Sequence, residues 1–176
     1  MTTMKIELEV NGARACWECE PHEMLTEVLR RNGLLGVKRG CESGDCGACS
    51  VLLDGEEVPS CLVLAAQASG HAITTIEGVG DFDDPHAIQL AFVDATAVQC
   101  GYCTPGMVIA TKALLEERPS PSEREVRECL AGHPCRCTGH KKPVEAVLAA
   151  AATLRARGVV SDSGDDPIAD TARSVG

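Results

Sequence analysis

Eleven cysteines stand in a chain of 176 residues, and eight of them fall into two ordered sets. The first set is Cys41-x4-Cys46-x2-Cys49-x11-Cys61. Three thiolates in one short loop with a distant fourth is the spacing of plant-type [2Fe–2S] sites. Two irons bridged by two sulfides form a compact rhomb that needs four thiolates around it. A loop supplying three of them must wrap tightly, and Gly40, Gly44 and Gly47 permit that close backbone approach. Amides in such a loop can point at the sulfurs and stabilise an added electron. Cys61 is expected on a strand after a hairpin, so that the sheet supplies the fourth wall. Structural zinc sites more often use paired C-x2–4-C knuckles, so this spacing favours an iron–sulfur cluster over zinc.

The second set is Cys100-x2-Cys103-x31-Cys135-x-Cys137. Taken alone it is less specific, because two cysteine pairs also suit zinc. Cys135-Arg136-Cys137 is tighter than common zinc knuckles, however, and each pair precedes an expected helix start, at Thr104-Pro105 and near Pro143. Helix N-termini carry free amides and partial positive charge, which favour an anionic thiolate group. The remaining candidates read more plainly. Cys16 and Cys19 lie three apart on an expected strand, hence on opposite faces, and read as ordinary hairpin residues. Cys129 reads as a packed helix residue. His133 and His140 bracket the CRC motif and read as loop or subunit-interface residues, since both thiolate sets are complete without them. Trp17 and Tyr102 are isolated aromatics; Tyr102, between Cys100 and Cys103, is placed to shield a cluster or to fill space. No nucleophile with a base, phosphate loop or open metal site is evident, so the chain has no expected catalytic residue.

Two kinds of element must position these sulfurs. Up to about residue 80 the pattern is mostly β. Lys5–Val10 and Ala13–Glu20 flank Asn11-Gly12, a type I′ hairpin signal. A helix with Met24, Leu25, Val28 and Leu29 on one face follows, stopped at Gly33. Ser50–Leu53 and Glu56–Cys61 flank a second signal, Asp54-Gly55, and a strand is expected near Ile73–Ile76. Gly78–Asp84 is a polar break. Beyond it four helices are expected: one capped at Asp84-Pro85 with Ile88, Ala91, Phe92 and Ala95 inward; one from Thr104-Pro105 with Met107, Ala110 and Leu114; one from a capping box in Ser120-Pro121-Ser122-Glu123 with Val126 and Leu130; and one from near Pro143 with Val144, Val147, Leu148 and Ala151. The fold class expected is α+β, with units at 1–79 and 84–157 and a mobile polar tail over 158–176.

Composition narrows the partners. Aromatics are only 2% of a chain that is 44% hydrophobic, so the core is aliphatic and alanine-rich. A formal net charge of −10 argues against nucleic acid or an anionic membrane as partner. No apolar run suits a membrane span, and Met1–Val10 lacks the regions of a secretory signal. A cytoplasmic location is expected, where reduced thiols rather than disulfides are the rule.

The segments GCESGDCGACSVLLDG and QCGYCTPGMVIATKALLEERPSPSEREVRECLAGHPCRCTGH resemble the small iron–sulfur subunit of the xanthine dehydrogenase family of molybdenum hydroxylases, over about residues 4–156. The resemblance implies a plant-ferredoxin-like β-grasp N-terminal domain and an all-α four-helix-bundle C-terminal domain, each with one [2Fe–2S] cluster. It implies a large molybdenum–pterin subunit beside the helical-domain cluster, touched by Gln99 and approached by Cys137, and a medium FAD subunit beside the other cluster, and it allows a dimer of heterotrimers. Substrate would be hydroxylated at molybdenum, and electrons would leave one at a time through both clusters to flavin. Three positions depart from the usual pattern: His133-Pro134 stands where Asn and an aliphatic residue are usual, His140 where Tyr is, and Pro143 where an aliphatic residue is. None removes a candidate ligand. The alternatives are a free-standing two-cluster ferredoxin or redox sensor, which predicts a small charged docking patch, and a structural zinc protein, which predicts a colourless preparation. The substrate, among nitrogen heteroaromatics, aldehydes, carbon monoxide and aromatic thioesters, is a property of the large subunit.

Overall fold

A computed structural model describes residues 3–159; the expected tail lies outside them, save its first two residues. Strands β1 (Met4–Val10) and β2 (Ala13–Cys19) form the first hairpin. Asn11 and Gly12 join them at φ +52° and +79°, the left-handed pair that a type I′ turn needs. The pleat turns Ile6, Leu8 and Val10 inward. Helix α1 (Leu25–Arg31) lays Leu25, Val28 and Leu29 on the sheet and ends where Gly33 takes φ +91°. Strands β3 (Ser50–Leu53) and β4 (Glu56–Pro59) make the second hairpin. Strand β5 (Ala72–Thr74) then slots between the hairpins, parallel to β1 and antiparallel to β3, giving the order β2-β1-β5-β3-β4. One mixed sheet and one covering helix enclose a core of Ile6, Val28, Leu29, Val51 and Ile73, the ferredoxin-like arrangement expected.

Helices α2 (Ala87–Asp94), α3 (Thr104–Glu117), α4 (Glu123–Leu130) and α5 (Lys141–Ala156) form the second half. Their core centres on Ile88, Phe92, Met107, Leu115, Val126, Leu130 and Val147. Ala146, Ala150 and Ala151 of α5 are buried, and such small side chains let α5 and α2 pack closely. The halves are not insulated from each other, because Leu52 of β3 belongs to the helical core. Among the described residues no helix is long and apolar enough to cross a membrane.

Several boundaries differ from expectation, each for a local reason. Strand β4 stops at Pro59, and Cys61 lies in a 3-10 turn, Ser60–Leu62, rather than on a strand. Proline has no amide for the ladder, and the amide and hydroxyl of Ser60 both bond back to the Cys49 carbonyl, at 3.3 and 2.7 Å. The last strand ends at Thr74, not Ile76, because the Thr75 amide is taken by Asn11 Oδ1 at 2.8 Å. Asp84-Pro85 does not cap α2. Asp81 Oδ1 accepts from the amides of Asp83 and Asp84 and holds that segment in a turn. His86 caps instead: its Nδ1 accepts from the Ile88 amide and its own amide donates to Gln89 Oε1.

The capping box of α4 is Ser122 with Glu125, two residues beyond the expected one. Ser122 Oγ accepts from the Glu125 amide at 3.3 Å, and the Ser122 amide donates to Glu125 at 2.7 Å. Those bonds from Ser122, then the Arg118 guanidinium, hold the Glu125 carboxyl at about 2. The stabilisation is present above the ordinary carboxylate pKa and is lost only as pH falls towards 2. Ser122→Ala is expected to cost about 1 kcal/mol at pH 7, read by denaturant unfolding, with Ser122→Asn close to wild type.

Candidate cluster sites

The first site is a loop pinned between α1 and β3. Its sulfurs stand two and two. The Cys41 thiol lies within hydrogen-bonding reach of Cys46, and Cys61 within reach of Cys49. Cys41 is exposed and Cys46 half-buried, whereas Cys49 and Cys61 are buried. The loop closes so tightly that a Cβ on Gly40 would sit 2.6 Å from Cys46 Sγ. Gly44 and Gly47 take φ +85° and +61°, which aims the chain back across the site. The Ser43 amide donates to Cys41 Sγ at 3.4 Å. Bonds from the Ser43 hydroxyl and amide, then the Cys46 thiol, bring Cys41 down to about 6. Burial, then the neighbouring Cys49 thiol, pushes Cys61 up to about 11.

The second site gathers two helix entries. Cys103 is the N-cap of α3, and Cys135 and Cys137 lie in the turn before α5. Again the sulfurs pair, Cys103 with Cys135 and Cys100 with Cys137. Cys100 and Cys137 are exposed, while Cys103 and Cys135 are half-buried and pack on the helical core. Burial, then Cys135, pushes Cys103 up to about 12. Burial opposes ionisation of Cys135 as well, but the Thr138 hydroxyl and amide, 3.1 and 3.4 Å from its sulfur, outweigh it and leave its pKa lowered. Cys137 is raised, chiefly by the Cys100 thiol beside it. Thiolates crowded in pairs repel each other, and cations placed between them remove that repulsion.

The paired arrangement bears on which group fits. A single zinc ion needs its ligands around one point. A [2Fe–2S] rhomb instead takes two thiolates at each of two irons, and both sets offer that. The donors at Ser43 and Thr138 aim at sulfur as such a cluster requires.

Gln99 and Cys137, expected at a pterin contact, lie together on the surface: Gln99 Nε2 donates to the Cys137 carbonyl at 3.4 Å. Cys16 is exposed and Cys19 buried, on opposite faces of β2. Cys129 packs in α4 against the Ala110 carbonyl, its thiol pushed up to about 12 by burial. His140 caps α5 at φ +64°, and its Nε2 accepts from the Cys135 amide at 3.1 Å. His133, expected as a loop or subunit-interface residue, does lie in the loop after α4, but its ring is buried against Glu57 and Ser50 of the other half of this chain. The Tyr102 hydroxyl donates to the Arg39 carbonyl, tying one cysteine loop to the other. Sequence reasoning missed Ser43 and Thr138, whose only signal is that each lies within three residues of a cysteine. It also missed Gly106, which approaches Gly47 so closely that a Cβ would sit 2.2 Å from the Gly47 carbonyl oxygen.

Residues 8–74 match the 2Fe-2S iron-sulfur cluster binding domain, and residues 75–148 match the [2Fe-2S] binding domain. The nicotinate dehydrogenase small FeS subunit of Eubacterium barkeri is 44% identical over 81% of this chain and 91% of its own. The xanthine dehydrogenase iron-sulfur-binding subunit of Escherichia coli O157:H7 is 46% identical over 83% and 93%. The crystal structure of quinoline 2-oxidoreductase from Pseudomonas putida 86 superposes with a TM-score of 0.85 at 42% identity, over 90% of this chain and 99% of that one. The chain belongs to the family of small iron–sulfur subunits of xanthine dehydrogenase-type molybdenum hydroxylases. It is the electron-transferring [2Fe–2S] subunit of a multi-subunit oxidoreductase; a free-standing carrier is not favoured.

The Gly47–Gly106 approach yields a direct expectation. Gly106→Ala places a methyl group against backbone that has no flexible end to move, and is expected to destabilise the protein by about 1–3 kcal/mol, measured by thermal or denaturant unfolding.

Proposed function

We propose that Cys41, Cys46, Cys49 and Cys61 hold one [2Fe–2S] cluster and that Cys100, Cys103, Cys135 and Cys137 hold the other. When bound, each cluster accepts and passes on one electron at a time. The observation that carries this reading is the division of each set into an outer and an inner sulfur pair. Cys100 and Cys137 are the outer pair of one site, and Cys41 and Cys46 form the more exposed pair of the other. The inner pairs, Cys103 with Cys135 and Cys49 with Cys61, have chain neighbours that meet across the Gly47–Gly106 contact. That order suits entry at one end of the chain and exit at the other.

Gln99 and Cys137 then face the molybdenum–pterin of a large subunit. Their exposure supports a contact there; the apolar run after Cys103 adds nothing to it, because Met107–Ala110 are buried in this chain's own helical core. The opposite end, with Cys41 exposed and Leu62 56% exposed, faces an FAD-bearing medium subunit, and the resulting heterotrimer pairs as a dimer. Residues 1–79 and 84–157 act as the two cluster-bearing units, a division supported by the sheet ending before a turn at Ile76–Gly78 and α2 beginning at Ala87. Eleven cysteines free of disulfides suit the cytoplasm. Relatives and neighbours named for nicotinate, xanthine and quinoline support a nitrogen heteroaromatic as the substrate class of the assembly.

Iron, acid-labile sulfide and zinc measured on anaerobically purified protein test this. About four iron and four sulfide per chain are expected, with a molybdenum-containing partner co-purifying. Zinc without sulfide would overturn the cluster assignment.

A further inference from the structure

His133 belongs to neither ligand set, yet it is 2% exposed, a histidine almost wholly removed from water. It follows α4, two residues before Cys135, and its own amide donates to the Leu130 carbonyl at 3.0 Å, so its backbone is part of the helical half. Its ring reaches into the other half. Nε2 lies 3.0 Å from Glu57 Oε1 on β4 and 3.2 Å from Ser50 Oγ, the residue after Cys49. Ser50 Oγ in turn donates to the same Glu57 oxygen at 2.7 Å. A carboxylate only accepts, so Nε2 carries the proton. The other ring nitrogen, Nδ1, is buried without a hydrogen-bond partner among the described residues. Among the described residues, both polar contacts of this ring therefore run across the junction.

The ring also fills the space above the first cysteine loop. A Cβ on Gly47, between Cys46 and Cys49, would fall 2.3 Å from His133 Cδ2, and one on Gly106 would fall 3.0 Å from the same atom. Gly47, Gly106 and the imidazole are thus one packed unit, and each neighbours an inner cysteine in the chain.

We propose that His133 is a positioning residue for electron transfer between the two clusters. Through Glu57 and Ser50 it holds the loop ahead of Cys135 at a set distance from the loop around Cys49. Electron tunnelling falls exponentially with the gap between donor and acceptor, so a residue that fixes this gap acts on rate without touching either cluster. This rests on the two-cluster assignment above.

The test uses the assembled holoprotein with both clusters reduced, followed by electron paramagnetic resonance. Two paramagnets held close together split each other's signals. Wild type and His133→Gln, whose amide keeps a donor at similar reach, are expected to show the same splitting. His133→Leu, which fills space but cannot donate, is expected to lose it while still holding about four iron and four sulfide. Its intramolecular transfer should be slower by about tenfold or more. Full splitting in iron-replete His133→Leu would overturn the proposal, as would absence of splitting in wild type. Should His133→Leu fail to load, Glu57→Ala carries the same expectation and alters neither cysteine loop; unchanged splitting there also overturns it. Wild type lacking four iron and four sulfide would instead defeat the cluster assignment itself.

Discussion

Two backbones meeting at Gly47 and Gly106 are what the rest of the molecule is arranged around. The first glycine sits inside the loop of a sheet-based half, the second in the opening turn of a helix in the other half. With side chains at either position the halves could not approach this closely, since added Cβ atoms would fall 2.2–2.3 Å from existing atoms. Hydrophobic burial alone would not select this register, because it is non-directional. Leu52 reaching from β3 into the helical core supplies burial across the same junction. His133 and Tyr102 supply direction, one bonded to Glu57 and the other to the Arg39 carbonyl.

Around that contact, the sulfurs are delivered by loops but aimed by rigid elements. Cys103 caps α3, and Cys135 is oriented by His140 at the start of α5. Cys49 stands immediately before β3, and Cys61 two residues past the Pro59 end of β4. A hairpin thus controls the spacing of one inner pair, and two helix entries control the other. Loop sulfurs held only by loop backbone would wander, whereas a geometry set by elements stays pre-organised for a cluster.

The hairpins were legible because each signal is local. Asn11-Gly12 and Asp54-Gly55 need no tertiary help to prefer φ > 0, and all four residues take it. The apolar faces of the helices were legible from period alone. What escaped was decided by a partner distant in sequence, or by a rival a few residues away. Nothing near Cys61 announces that Ser60 will spend both its donors on the Cys49 carbonyl. Asp84-Pro85 resembles a helix start until Asp81 takes the Asp84 amide. Ser120 and Ser122 offer equally good caps on paper; Glu125 chooses the second. His133 reads as a loop or subunit-interface residue because both thiolate sets are complete without it; that its ring turns inward was not legible, since its acceptor, Glu57, stands 76 positions earlier and in the other half.

The same geometry accounts for why such a chain serves as a subunit rather than a free carrier. Each thiol set leaves one pair more open to solvent, with Gln99 beside Cys137 and the exposed Leu62 packed against Gly44 of the Cys41–Cys46 loop. A cluster whose outer sulfurs stay wet is open to oxidation and to loss of iron, and its potential shifts with solvent access. Covering both ends with partners removes water from the outer pairs and places acceptor and donor groups against them. The inner pairs depend less on a partner, because the chain itself buries Cys49 and Cys61 and half-buries Cys103 and Cys135. A path built into one small chain, with both ends left exposed, suits an electron-transfer subunit that has no substrate site of its own.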